Sequence, residues 1–123
     1  MPHLSGPDFV SLQAADLDAA RRFYGEILGL PARPGGPPHA VIFDTKPIPF
    51  AVRTPLPGFD PDAPLGHGVG LWFACDDADA LHEHLLAHDV PIVLAPEDGP
   101  FGRHFAFRDP FGYRITANSA PGR

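Results

Sequence analysis

The 123-residue chain has the length of a single domain, and 44% of its residues are hydrophobic, which is enough to build a core. Its single cysteine, Cys75, excludes an internal disulfide, and no stretch approaches the roughly 18 consecutive apolar residues of a membrane helix. The 9 basic and 15 acidic residues give a formal charge of -6, which disfavours nucleic acid as a partner. The first residues show no secretory signal, so we expect a cytoplasmic location.

The first half of the chain predicts the order strand, helix, strand, strand. Side chains alternate between apolar and polar over Phe9 to Ala14, which is typical of a strand with one buried face. Asp16 is a favourable N-cap for a helix whose apolar residues recur at helical spacing as far as Leu28. Two further short strands are predicted over Ala40 to Asp44 and over Pro49 to Arg53.

The second half repeats the beginning of this order after a proline-rich stretch. A strand over Val69 to Cys75 precedes a helix that is capped by Asp76 or Asp77. The final two strands, over His104 to Phe107 and over Tyr113 to Asn118, are joined by a turn rich in Asp, Pro and Gly. The repeat predicts one domain of two modules, over about residues 7–54 and 67–118, with a linker over 55–66.

Both ends of the chain resemble the vicinal oxygen chelate superfamily, which includes glyoxalase I, extradiol dioxygenases, fosfomycin resistance enzymes and bleomycin resistance proteins. The resemblance is carried by Asp16-Leu17, Arg22-Phe23-Tyr24 and Leu28-Gly29-Leu30, and by the run from Phe105 to Ile115 around Asp109-Pro110-Phe111-Gly112. It implies an α+β fold in which two βαβββ modules form a curved mixed-sheet cup around a small molecule, with helices on the outer face. It also implies a homodimer in which modules pair across a two-fold axis; the alternative is that the two modules of one chain pair with each other.

Metal-using members of this family place His, Gln or Glu at four inward positions. The positions that correspond in this sequence are Phe9, Ala51, Gly70 and Thr116. Phe, Ala and Gly offer no side-chain donor, and a threonine hydroxyl is a poor ligand for a divalent metal. We therefore expect no metal, no other cofactor and no catalytic residue. The chain resembles the metal-free bleomycin-resistance-like members, and we expect it to sequester a small molecule.

The period-two alternation of the predicted strands separates an apolar set of side chains from a mixed set. We expect the apolar set to face the helices and the mixed set to face the ligand. Phe9 and Trp72 can stack on a flat compound, and Arg53 and Arg114 can pair with an anionic group. The predicted ligand-binding residues are Phe9, Ser11, Gln13, Ile42, Arg53, Trp72, His104, Arg114 and Thr116.

Structural interpretations of these residues remain open. Trp72 could instead fill the cleft or lie at a dimer contact, because aromatic residues are common at interfaces as well as in pockets. Arg53 or Arg114 could pair with an aspartate on the surface. The cleft could also be closed by its own side chains, in which case the surface of the domain would serve another protein.

A metal-dependent lyase or dioxygenase is the alternative function. Its divalent ion would be held by displaced ligands, namely His67 and His104 with Gln13. A second histidine pair, His84 and His88, has the four-residue spacing that places two imidazoles on one face of a helix. That helix is expected to lie outside the cleft, and the pair has no third donor in the sequence pattern.

Overall fold

The computed structural model describes residues 2–121, and the chain divides into two compact units, one up to Phe59 and one from Asp60 onward. The first unit contains β1 (Val10–Gln13), α1 (Leu17–Ala20), a π-helical continuation (Arg21–Ile27), β2 (Ala40–Phe43) and β3 (Phe50–Arg53). The second contains β4 (Trp72–Ala74), α2 (Ala78–Ala87), β5 (Ile92–Gly99), β6 (Gly102–Arg108) and β7 (Arg114–Ser119). The predicted α+β class with two modules is confirmed.

The sheet of the first unit has three strands in the order β1-β3-β2, where β1 and β3 are parallel and β2 and β3 antiparallel. Of the three strands expected after the helix, two are regular strands in the described part of this unit. The segment that follows the helix approaches β2 instead: Ala32 forms an isolated bridge to Phe43, and the Arg33 amide donates to the Ile42 carbonyl at 2.7 Å. Prolines at 31, 34, 37 and 38 have no N–H for a longer ladder.

The first helix covers one face of this sheet through aromatic side chains. Tyr24 is buried with its ring centroid 5.0 Å from that of Phe50 and 6.1 Å from that of Phe43. The sequence predicts an uninterrupted α-helix, but the second part is π-helical, with the Leu28 amide donating to the Phe23 carbonyl at 2.9 Å. The wider turns accompany the burial of two adjacent aromatic side chains, Phe23 and Tyr24.

The sheet of the second unit has the order β4-β7-β6-β5, and only the β4 and β7 pair is parallel. α2 packs on one face of it, where Leu85, Phe105 and Ile115 are buried. Of the two predicted N-caps, Asp77 is the one that caps α2, since its Oδ1 accepts from the Ala80 amide at 3.1 Å. Neither helix of the described chain has the length and apolar character needed to cross a membrane.

Strand β5 was not predicted, and β4 is shorter than predicted. β5 lies at the edge of the sheet, and its register against β6 shifts once between Ile92 and Leu94 and again between Leu94 and Glu97, where Pro96 lies. These bulges break the period of two from which strands are recognised in a sequence. Val69, expected in a strand and facing the helix, lies before β4 and is 66% exposed.

The turn between β6 and β7 is organised by a buried carboxylate. One oxygen of Asp109, Oδ1, accepts from the amides of Phe111 and Tyr113 at 2.9 and 2.8 Å. The sequence prediction of Asp109 as a turn residue is confirmed. Because this turn sets the register of the β6 and β7 hairpin, it also fixes which of their side chains stand next to each other.

Candidate functional site

In the first unit, four of the predicted ligand-binding residues share the sheet face opposite the helix. The strand register places Ser11 and Ile42 on either side of Ala51, and Gln13 beside Arg53 one step further along. Ser11 is exposed, whereas Ile42, Gln13 and Arg53 are half-buried. The alternation in the sequence predicted that these four side chains share a sheet face, and the strand register places them on one face.

The two polar side chains at the end of this face differ in what holds them. The Oε1 atom of Gln13 accepts from the Leu56 amide at 2.7 Å, so this side chain fastens the segment that follows β3. Arg53 donates from Nε to the Thr54 carbonyl at 3.1 Å and forms no ion pair with any residue between 2 and 121. Phe9 lies just before β1 and is exposed. Arg53 is thus the cation of this face that an anionic group could reach.

In the second unit, the other four predicted residues share the face opposite α2. Trp72 is the register neighbour of Thr116, which in turn pairs with Ala106. His104 lies two residues before Ala106, and Arg114 two residues before Thr116, so the alternation of side chains puts both on this same face. Thr116 is buried, while Trp72 and Arg114 are exposed.

Trp72 belongs to an aromatic cluster with His104 and Phe101, called here the Trp72 cluster. The Trp72 ring centroid lies 5.5 Å from that of His104 with the planes 35° apart, and 6.1 Å from that of Phe101 in an edge-on arrangement. Trp72 is 52% exposed and Phe101 68% exposed. Adjacent exposed aromatic rings are uncommon on a soluble domain and offer a surface on which a flat molecule can stack.

A carboxylate on β5 and the space beside a glycine position the His104 ring in this cluster. Its Nε2 lies 3.5 Å from Oε1 of Glu97 on β5. Gly99 leaves the space that the ring occupies, because a Cβ built at this glycine would lie 2.7 Å from Cε1 of His104. The buried amide of Asn118 donates to the Phe101 carbonyl at 3.0 Å and thereby ties the turn that carries Phe101 to β7.

Arg108 and Arg114 stand directly opposite each other on β6 and β7, and are called here the arginine pair. Both are exposed, and neither forms an ion pair with any residue that the structure describes. Nη1 of Arg108 donates to the Gly112 carbonyl at 3.0 Å. Like charges directly opposite on neighbouring strands repel, so an anion beside them would be stabilised.

The arginine pair contrasts with arginines whose charge is already neutralised. Arg103, on the other face of β6, bonds through Nε to Asp79 at 3.1 Å and through Nη1 to Asp98 at 3.2 Å. These bonds, that to Asp79 first, raise the pKa of the Arg103 guanidinium above its ordinary value. Arg33 is similarly bonded through Nε to Asp44 at 2.8 Å.

Sequence reasoning missed four residues of the second face: Glu97, Phe101, Arg108 and Asn118. A signal existed for two of them, because continuing the alternation by one step from Ala106 gives Arg108 and from Thr116 gives Asn118. Glu97 could not be placed without strand β5. Phe101 lies in the tight turn between β5 and β6, where alternation gives no direction.

The residues at the family's metal positions do not fit a divalent ion. The side chains there provide no donor beyond one buried hydroxyl: they are Phe9, Ala51, Gly70 and Thr116. Within residues 2–121 no three His, Cys, Asp or Glu side chains come together in a way that could hold a metal ion. His104 has one carboxylate neighbour, Glu97, and this pair falls short of the three protein ligands typical of a catalytic zinc.

Solved structures of similar fold are found over nearly the whole chain. TnmS3, an antibiotic binding protein from Streptomyces sp. CB03234, is 26% identical with a TM-score of 0.77, and the match covers 98% of this chain and 99% of that chain. A glyoxalase/bleomycin resistance protein from the same Streptomyces strain is 26% identical with a TM-score of 0.72, covering 92% and 99%. A lactoylglutathione lyase from Agrobacterium tumefaciens, 24% identical with a TM-score of 0.69 and covering 94% of both chains, shares the fold.

Sequence comparison gives the family. No curated protein matches this sequence significantly. The family model described as the Glyoxalase/Bleomycin resistance protein/Dioxygenase superfamily matches residues 6–116, which is most of the chain. The protein therefore belongs to the glyoxalase/bleomycin resistance protein/dioxygenase superfamily.

Proposed function

We propose that this protein binds and sequesters a small compound that is aromatic, anionic or both, without a metal and without converting it. The observation that carries the proposal is the juxtaposition on one sheet face of the Trp72 cluster and the arginine pair. The antibiotic-binding description of TnmS3, a protein of similar fold and 26% sequence identity, supports a binding role. The module bounds of 7–54 and 67–118 with a linker over 55–66, the homodimer and the cytoplasmic location stay predictions.

The exposure of the Trp72 cluster supports an aromatic ligand. A flat ring laid on Trp72 would remove apolar surface of both partners from water and gain about 0.5–1.5 kcal/mol from stacking geometry in addition. The His104 ring packs against the indole of Trp72, so the indole is already held in place before a ligand binds. A platform that is already ordered lowers the entropic cost of binding.

The position of Arg114 relative to Trp72 supports an anionic group on the same ligand. Trp72 on β4 is the register neighbour of Thr116 on β7. Arg114 lies two residues before Thr116 on β7, which is about 7 Å at the usual rise per strand residue. One small molecule can span that separation. A carboxylate or phosphate there would meet a guanidinium that has no acidic neighbour in the described chain, and could accept two parallel hydrogen bonds from it.

The first unit offers a second group of predicted contacts of the same chemistry. Ser11, Ile42 and Arg53 share one face, and Arg53 is likewise without an acidic partner among the residues described. An Arg53→Gln variant, measured by calorimetry with the same aromatic acids as the variants named below, tests this group. A loss of affinity in the Arg53 variant would assign the first unit to ligand binding as well.

Tryptophan fluorescence tests the proposal directly. Trp72 is the single tryptophan, so emission from the native protein reports on the cluster alone. Flat aromatic carboxylic acids should change this emission saturably, and their uncharged amides should bind at least tenfold more weakly. By calorimetry, Trp72→Ala and Arg114→Gln should each lower the affinity at least tenfold. Leu86→Ala, an exposed change on α2, should leave it unchanged.

Three outcomes would contradict the proposal. Emission that no aromatic acid changes would remove the ligand-binding role of this face. Conversion of a bound compound, followed by mass spectrometry, would show an enzyme. Stoichiometric metal retained through purification, with a melting temperature that falls on chelation and affinity that depends on the metal, would favour the lyase or dioxygenase alternative.

A further inference from the structure

Two histidines on α2 stand close together on the surface of the helix. His84 and His88 are four residues apart, both are exposed, and their ring centroids lie 4.6 Å from each other with the planes 52° apart. This arrangement plays no part in the proposed ligand-binding face, which lies on the opposite side of the second sheet. It brings two nitrogen donors to one place.

The orientation of His88 suits a metal ligand. Its Nδ1 lies 2.9 Å from the His84 carbonyl oxygen, and this contact is a hydrogen bond when Nδ1 carries the proton. The tautomer with the proton on Nδ1 leaves the lone pair on Nε2. Metal-binding histidines commonly donate their other ring N–H to a carbonyl in this way, because it fixes both the tautomer and the ring plane.

The electrostatic surroundings favour a cation. His88 is the C-cap residue of α2, and the carbonyl groups at the end of a helix carry partial negative charge. The chain as a whole has a formal charge of -6. Two imidazoles on one helix turn match the preference of late first-row divalent metals for nitrogen donors, and Cu(II) leads that series in affinity.

We propose that His84 and His88 form a bidentate surface site for a late first-row divalent metal ion, with Cu(II) bound most tightly. The two imidazoles supply two coordination positions, and water or an external ligand fills the others. The site is distinct from the metal centre of the family, because it lies on the helix and uses none of the residues at the family's metal positions.

Titration of the full chain with Cu(II) alone, in a buffer that does not coordinate copper, tests the site. The electron paramagnetic resonance spectrum should show two nitrogen donors, and calorimetry should show a site that His84→Gln or His88→Gln weakens at least tenfold. The Cu(II) affinity of the double variant should lie within about twofold of that of either single variant, because the one imidazole that a single variant keeps adds little. Zn(II) should bind the same residues more weakly.

Matched histidine variants provide the control. His3→Gln and His39→Gln change exposed residues outside α2 and should leave the binding at His84 and His88 within twofold. Far-UV circular dichroism should show the same helix content in every variant, since both α2 residues are exposed. Copper affinity that survives both α2 substitutions, or that falls as far in a control variant, would overturn the proposal. So would a native spectrum with a single nitrogen donor.

Discussion

The imidazole of His104 lies against the indole of Trp72, with ring centroids 5.5 Å apart and planes tilted by 35°. His104 is largely buried, whereas half of Trp72 is exposed, so the histidine supports a ring whose other side meets solvent. The space for the imidazole exists because residue 99 is a glycine. We therefore expect the orientation of the exposed indole to depend on Gly99 through the His104 ring.

Gly99→Ala should move the His104 ring and thereby change the surroundings of Trp72. The added Cβ would lie 2.7 Å from Cε1 and 3.0 Å from Nδ1 of His104, and the ring is the end of a side chain that can rotate. We expect a loss of about 1 kcal/mol in the free energy of unfolding from the displaced rotamer. We also expect a shift in the tryptophan emission maximum and weaker binding of aromatic acids.

Two further variants separate this effect from a general glycine effect. Gly36→Ala adds a Cβ with no atom within 4 Å and should change neither the emission nor the stability beyond about 0.5 kcal/mol. In a His104→Ala background, Gly99→Ala should leave the emission unchanged because the colliding ring is gone. An emission shift of full size in that background would refute the proposed coupling.

Side-chain alternation predicted the faces of the sheets better than it predicted their edges. Trp72, Thr116 and Arg114 were placed on one face from period two alone, and strand pairing places them there. Strand β5 was not predicted because two register shifts between Ile92 and Glu97 interrupt the period of two that identifies a strand. The aromatic cluster could not be foreseen either, because Phe101 belongs to a turn and its neighbours depend on how β5 pairs with β6.

Asp109 should be the most costly turn residue to replace. Its buried Oδ1 accepts two backbone N–H bonds at the β6 and β7 turn, and hydrogen bonds to a charged group contribute about 1.5–3 kcal/mol each. We expect Asp109→Ala to lower the free energy of unfolding by about 3 kcal/mol in urea titration. Asp109→Asn, which keeps an acceptor oxygen, should lose about half as much.

An exposed turn provides the comparison for Asp109. Asp60 makes a similar contact, in which its Oδ1 accepts from the Asp62 amide at 2.9 Å, but water can replace it. Asp60→Ala should therefore change the free energy of unfolding by less than about 0.5 kcal/mol. Equal losses in Asp60→Ala and Asp109→Ala would show that burial of the carboxylate is not the deciding factor.

The cap of α2 distinguishes two adjacent aspartates that sequence reasoning could not separate. Asp77 Oδ1 accepts from the Ala80 amide inside the helix, whereas Asp76 Oδ1 accepts from the Asp77 amide before it. Removing an N-cap side chain costs about 1 kcal/mol. Asp77→Ala should therefore destabilise the fold by about that amount, and Asp76→Ala by less than half of it. The reverse order in urea titrations would reassign the cap.

Substitution of Arg114 in the arginine pair should increase the stability of the fold and weaken ligand binding. Because Arg108 and Arg114 face each other without an acidic neighbour in the described chain, Arg114→Gln should relieve repulsion and raise the free energy of unfolding by about 0.5 kcal/mol at low salt. The gain should disappear at about 1 M salt, where the screening length falls to about 3 Å. The same variant should bind aromatic acids at least tenfold more weakly.

Arg103→Gln is the matched control on the other face of β6. It removes the bonds to Asp79 and Asp98 and should lower stability at low salt, with no effect on the binding of aromatic acids. Opposite signs for the two variants are the expected result, since one arginine is neutralised within the fold and the other is not. If Arg114→Gln lowers stability as Arg103→Gln does, then Arg114 has a structural partner, and the charge of this face is not held ready for an anionic ligand.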